Sequence, residues 1–204
     1  MGRLPRRAGK MMELIVHPWP GPVPAPQDGL FVIAVSTSVE RPRAREQIRL
    51  AARAALASVL GVDADDILID STPGQAPRIT VAGDQSTIGC SFTHEGGFSL
   101  AAINLHGAVG VDLMRVEEIF DWQAVARDYL GPEVCATLAV TPAAEHTLAF
   151  VLAWTRHEAV LKYHGIQLAE WSEEIAALAM PTRSALLPNN LVVSLACRSL
   201  DPTK

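Results

Sequence analysis

Four places in this chain carry residue types that could do chemistry. Trp154, Glu158 and Lys162 stand four residues apart in an apolar helical pattern, so they share one helix face. A carboxylate and an ammonium on one stripe beside a bulky aromatic can be an ion pair next to a core anchor. They can also be a metal ligand and a phosphate ligand. Asp112 is a lone acid in the apolar strand-like run Gly110-Val111-Asp112-Leu113-Met114. A carboxylate there is costly to bury without a partner, and a cation would satisfy it. Ser91-Phe92-Thr93-His94-Glu95-Gly96-Gly97 gathers two hydroxyls, an imidazole and two glycines at a strand end. Arg45, Arg49 and Arg53 repeat at four-residue spacing. Taken singly, each has a structural explanation: a turn histidine, a capping acid, a solvated arginine face, an i,i+4 ion pair.

Several chemistries lack local support. His157-Glu158 begins a zinc-protease pattern, but Leu161 stands where the second histidine belongs. No G-x-G-x-x-G, P-loop or G-x-S-x-G elbow is present. Cys90, Cys135 and Cys197 are far apart and odd in number, which fits neither a metal set nor a disulfide framework. A reducing cytoplasm is the expected setting. The net charge of -5 argues against a dedicated nucleic-acid binder. Arg3, Arg6, Arg7 and Lys10 are followed by no long apolar region, so a secretory signal is not expected. No apolar stretch is long enough to cross a bilayer.

The elements that must position these residues follow from periodicity. Residues 1–28, with the proline-rich part from Pro18 onward, read as an irregular leader. Phe31 to Ser36 is a β-branched, apolar strand. Arg43 to Leu60 is an amphipathic helix, its basic stripe opposite Ile48, Ala52, Leu56 and Leu60, and Gly61 ends it. Short strands are expected near Ile67 to Ile69 and from Arg78 to Ala82, with a loop over Thr72 to Pro77. Ile88–Thr93, Phe98–Leu105 and Ala108–Leu113 read as three strands of a meander. Asp121–Leu130, Pro132–Leu138 and Pro142–Tyr163 read as helices, and Leu191–Ala196 as a last strand. This order is α+β, not alternating βαβ.

Taken together and in order, these segments resemble the 4'-phosphopantetheinyl transferase superfamily, in its single-chain, surfactin-synthetase-activating branch. The family's S-x-S-H-x-x-G is similar to Ser91-Phe92-Thr93-His94-Glu95-Gly96-Gly97. Its G-[IV]-D-[IV]-E is similar to Gly110-Val111-Asp112-Leu113-Met114. Its W-[ST]-x-K-E-[AS]-x-x-K is similar to Trp154 through Lys162, and Gly165 and Leu168 continue its ending. The resemblance implies two similar α+β lobes packed as a pseudo-dimer, residues 29–107 and 108–204, with coenzyme A between them. It implies transfer of the phosphopantetheine arm of coenzyme A to a serine of an apo acyl, peptidyl or aryl carrier protein. Magnesium would be held by Asp112 and Glu158. Asp112, Glu158 and Lys162 would be catalytic, with Glu158 taking the serine proton. His94, Thr93, Ser91, Arg45, Arg53, Arg78, His157 and Lys162 would contact coenzyme A. A fused two-lobe chain would have no need to dimerise. A non-catalytic relative that binds coenzyme A or a carrier is the alternative.

Three positions depart from the family pattern. Met114 stands in place of a second acid and offers no oxygen to magnesium; some eukaryotic-type members are similar in this. His157 replaces a lysine, and Ala76 in Gln75-Ala76-Pro77 replaces another. Asp121–Leu130, with the neighbouring Phe120 and with Trp122 and Tyr129, is a candidate carrier-docking segment, or equally part of the second lobe's core.

Overall fold

In the computed structural model, residues 14–72 and 75–198 are described. The basic stretch before Lys10 and the Pro73-Gly74 part of the expected loop lie outside them. Alternation of side chains along two strands organises the molecule. In β2 (Leu30–Ser36), Phe31 and Ile33 enter one core while Leu30 and Val32 enter another. In β7 (Phe98–Asn104), Ala101 and Ile103 join the first core, and Leu100 and Ala102 the second. A strand that is apolar on both faces is buried on both faces.

β2 and β7 are central in a four-stranded sheet, ordered β1 (Val16–Pro18), β2, β7, β6 (Gly89–Glu95). One face carries α1 (Arg41–Leu60), which sinks Ile48, Ala52, Ala55 and Leu56 into the first core. Ile67, Ile69 and Ile79 close that core from a small sheet of β3 (Ile67–Asp70), β4 (Arg78–Val81) and β5 (Asp84–Gln85). The other face packs on a second sheet, ordered β8 (Gly110–Arg115), β10 (Leu191–Ala196), β9 (Thr182–Leu187). Val111, Leu113, Leu191, Val193 and Leu195 point into the layer between the sheets. Val192 points the opposite way, toward α4 (Ala143–His164).

α4 is held in register by polar as well as apolar contacts. Buried Thr155 Oγ1 lies 2.7 Å from Ser194 Oγ, which lies 2.8 Å from Ser184 Oγ. Satisfied buried hydroxyls fix one alignment of helix over strand. Gly165 ends α4 at φ 68, the left-handed conformation that glycine adopts without a Cβ clash.

Several expectations change. The segment read as an irregular leader contributes β1, which pairs in parallel with β2, and Trp19 packs on the first core. The three-strand meander is not formed. β6 and β7 make a hairpin-like pair, but β8 pairs with β10 in the other sheet. Asp121–Leu130 is not one regular helix: α2 (Trp122–Val125) runs into a π turn over Ala126–Leu130. α3 (Pro132–Val140) follows. β9 and the short α5 (Glu173–Ala176) were not anticipated. Among the described residues, no helix is long and apolar enough to cross a membrane.

Candidate active site

The site forms where β6 passes β8. Ser91 Oγ accepts from the Val111 N–H at 3.1 Å, and Thr93 Oγ1 accepts from the Leu113 N–H at 3.2 Å. Two hydroxyls therefore take up backbone donors that no strand partner satisfies on this edge of β8. Thr93 Oγ1 in turn donates to Asp112 Oδ1 at 3.2 Å. Ser91 and Thr93, both 5% exposed, thus tie the first sheet to the second.

On β8 the residues facing α4 alternate with those facing the inter-sheet layer. Val111 and Leu113 enter the layer, which turns Gly110 and Asp112 toward the helix. A Cβ at Gly110 would lie 1.9 Å from the Ala159 carbonyl oxygen and 2.5 Å from the Tyr163 nitrogen. Glycine there lets α4 approach the strand closely. The approach delivers Lys162, whose Nζ donates to Asp112 Oδ1 at 2.6 Å and to the Val111 carbonyl at 3.1 Å. The stripe of Trp154, Glu158 and Lys162 is confirmed, but the lysine pairs with Asp112; among the described residues, no Glu158–Lys162 ion pair is formed.

A cleft of about 420 Å³ opens over this cluster, lined by Arg41, Arg45, Thr93, His94, Glu95, Asp112, Met114, Trp154, Glu158 and Lys162 among others. It continues into a second part of about 600 Å³. Arg45, His94, Glu158 and Lys162 line both parts, and Arg49, Ser91, Gln75, Ala76 and Pro77 line the second.

Burial and the neighbouring Asp112 carboxylate raise the Glu158 pKa, and Lys162 opposes them in part. Glu158 is thereby moved toward the range in which a carboxylate can accept and release a proton near neutrality. Burial lowers the His94 pKa to about 4, helped by Arg45, Lys162 and Arg41. His94 is therefore a neutral imidazole at pH 7. Its Nδ1 lies 2.8 Å from Ser99 Oγ.

Three residues expected to contact coenzyme A are not among those lining the cleft. Arg53 is one turn too far along α1; it faces Asp65 at 3.6 Å and is not among the cleft residues. Arg78 is exposed on β4, opposite Asp70, and is likewise not a cleft residue. His157 turns beside Trp154, ring centroids 6.5 Å apart. Its Nε2 is buried without a partner among the described residues, and burial lowers its pKa. In exchange, Arg41 and Arg49 line the cleft. Arg49 Nη2 donates to Ser71 Oγ at 3.1 Å while its buried Nε has no partner among the described residues. The four-residue stripe, extended back one step from Arg45, was the signal for Arg41. Ser99 had no such signal, because its role depends on strand pairing. In the candidate docking segment, Trp122 packs against His146 with tilted rings, centroids 4.0 Å apart, and Tyr129 meets Trp154 edge-on at 5.8 Å. Both are packing residues; Phe120 is 90% exposed.

The donor set bears on magnesium. Asp112 is 8% exposed and shares the cleft with Glu158, whose proton affinity it raises, so two carboxylates compete for positive charge. Among the described residues no group of three or more His, Cys, Asp or Glu could enclose a metal. Two carboxylates, with water and phosphate oxygens completing the shell, suit magnesium, which keeps much of its hydration.

Residues 108–185 match the family model of the 4'-phosphopantetheinyl transferase superfamily. That segment holds β8 and α4, and so Asp112, Glu158 and Lys162. Over 184 residues the chain is 26% identical to the 4'-phosphopantetheinyl transferase HetI of Nostoc sp. (strain PCC 7120 / SAG 25.82 / UTEX 2576), covering 84% of this chain and 77% of that protein. The mixed α and β architecture accords with that superfamily.

Proposed function

We propose that this protein transfers the 4'-phosphopantetheine arm of coenzyme A to a serine of an apo acyl or peptidyl carrier protein. One observation carries the reading: Asp112, Glu158, Lys162 and His94 come from three separate elements and line one cleft beside Arg41 and Arg45. That arrangement offers cations for a pyrophosphate and carboxylates for a proton and a metal.

In this reading the carrier serine oxygen attacks the pantetheine-side phosphorus of the pyrophosphate. A new P–O bond to serine forms, the bridging P–O bond breaks, and adenosine 3',5'-bisphosphate leaves. Glu158 takes the serine proton, which its raised pKa suits. Lys162, held by Asp112 and the Val111 carbonyl, presents a fixed positive charge to the pyrophosphate. His94, Arg41, Arg45 and Arg49 hold the nucleotide phosphates. A magnesium ion held by Asp112 and Glu158 would neutralise charge gathering on the transferred phosphoryl group. The same reading treats residues 29–107 and 108–204 as two lobes of a monomeric pseudo-dimer working in the cytoplasm.

Intact-mass spectrometry tests it. The full chain is mixed with coenzyme A, Mg²⁺ and a panel of apo acyl and peptidyl carriers. Gain of one phosphopantetheine by a carrier is the expected result. Coenzyme A binding without modification of any carrier would favour a non-catalytic binder, and absence of coenzyme A binding would sink the reading.

A further inference from the structure

The two ring nitrogens of His94 sit in different worlds. Nδ1 lies 2.8 Å from Ser99 Oγ, and that oxygen lies 2.7 Å from Thr37 Oγ1. Ser99 stands opposite His94 in the β6–β7 register and is 0% exposed. Thr37, just beyond β2, is half-buried. Nε2 has no protein hydrogen-bond partner among the described residues, and His94 lines both parts of the cleft.

The protons of this row can run in two directions. If Thr37 donates to Ser99 and Ser99 donates to Nδ1, both hydroxyl protons are used and Nε2 carries the ring proton. If Nδ1 donates instead, Ser99 donates to Thr37, and the Thr37 proton has no acceptor among the described residues. A half-buried hydroxyl without an acceptor is the costlier state. The reverse direction would also aim an Nε2 lone pair at any anion that Arg41, Arg45 and Lys162 draw into the cleft.

We infer that Thr37 and Ser99 are positioning residues that lock His94 in its Nε2–H tautomer, so that a neutral imidazole presents a fixed hydrogen-bond donor to an anionic ligand. The lock stands on the hydroxyl row alone; naming the anion as a phosphate of coenzyme A rests on the proposed function. A neutral donor keeps its hydrogen bond without needing to be charged first. Its contribution is to binding, not to the bond-breaking step.

Long-range ¹H–¹⁵N correlation of the His94 ring in the full chain, free of ligand at pH 7.5, reads the tautomer directly. The expected spectrum shows a protonated Nε2 and an unprotonated Nδ1. Ser99→Ala and Thr37→Val shift both signals toward a tautomer mixture, whereas Thr37→Ser leaves them in place. In parallel, KM for coenzyme A rises roughly five- to tenfold in Ser99→Ala, the effect of about one hydrogen bond, with little change in kcat. Thr37→Val, at the outer end of the row, keeps the test open if Ser99→Ala does not fold. A proton on Nδ1 in the unmodified protein, or ring signals unmoved by both variants, would overturn the inference. An intact Nε2–H signature with no coenzyme A binding would leave the lock standing and sink the proposed function.

Discussion

Lys162 Nζ lies 2.6 Å from Asp112 Oδ1 across 50 positions of chain. The contact joins the last turns of α4 to the middle of β8. It also joins two charged residues that line the cleft. Among the described residues the other side-chain partner of Asp112 is Thr93, so the lysine is its principal compensation. Lys162 has two further claims on it, the Val111 carbonyl and the neighbouring Glu158 carboxylate.

Lys162→Met therefore leaves a largely buried carboxylate without its ion. Stability should fall by about 3 kcal/mol, the low end of the range for a broken buried pair. Adding Asp112→Asn in the same chain should restore much of that loss, because no unpaired charge remains. Urea unfolding of the two single variants and the double variant measures the coupling. A single Lys162→Met loss under about 0.5 kcal/mol would show that the pair contributes no more than a surface contact.

Titration supplies two opposite slopes. The folded-state pKa of His94, about 4, lies below its usual 6.5. Its contribution to stability is present above pH 6.5 and is lost as pH falls toward 4. His94→Gln should flatten that acid-side decline. Glu158 is shifted the other way, upward from 4.5. Its contribution is fully present below pH 4.5 and is lost as pH rises through the folded-state pKa. Glu158→Gln should therefore gain stability relative to the parent as pH rises toward neutrality. Urea midpoints from pH 4 to 8 for the parent and both variants read the two difference curves. A Glu158→Gln curve parallel to the parent would contradict the assigned cause.

Gly110→Ala should be among the most damaging single substitutions outside the charged cluster. A Cβ there collides with α4 backbone, which cannot move aside as a side-chain tip can. The helix must shift off β8, and Lys162 leaves Asp112. A loss of about 4 kcal/mol or more is expected, together with loss of coenzyme A binding. Thermal unfolding checks the first and calorimetry the second.

Much of the fold was legible because strong periodicity leaves few options. β2, β10, α1 and α4 lie within a residue or two of their expected ends. Asp112, Glu158, Lys162 and His94 were legible as a set because their ordered motifs resembled those of a known family. The remainder depended on tertiary pairing. β8 reads like the third strand of a meander, and nothing local says that Ser91 and Thr93 will bond it sideways while β10 takes its other edge. β9 is half-buried except at exposed Leu186, so its hydrophobic signal is weak. Arg45, Arg49 and Arg53 share one spacing, yet the drift of a 3.6-residue helix carries only the first two to the cleft. His157 adjoins Glu158 in sequence but points some 100° around the helix from it.

Met114 lines the cleft beside Asp112 and Glu158. Met114→Glu adds a third carboxylate beside Asp112 and Glu158, the pair proposed to hold magnesium. Magnesium affinity should tighten on the order of tenfold, since affinity follows the number of charged ligands. Without the ion, the variant should be less stable than the parent from like-charge repulsion. Calorimetric titration with Mg²⁺ and unfolding in EDTA test both halves, and unchanged affinity would place the ion elsewhere.

The most direct measurement is a single-turnover transfer assay followed by intact mass, with parent protein and Glu158→Gln compared at coenzyme A concentrations that saturate each. The parent should convert an apo carrier to its phosphopantetheinyl form. Glu158→Gln should bind coenzyme A but transfer at least about a hundredfold more slowly, as expected for loss of a general base. Equal transfer rates in the two proteins would contradict the role assigned to Glu158 and, with it, the assembly of Asp112, Glu158 and Lys162 as the reacting centre.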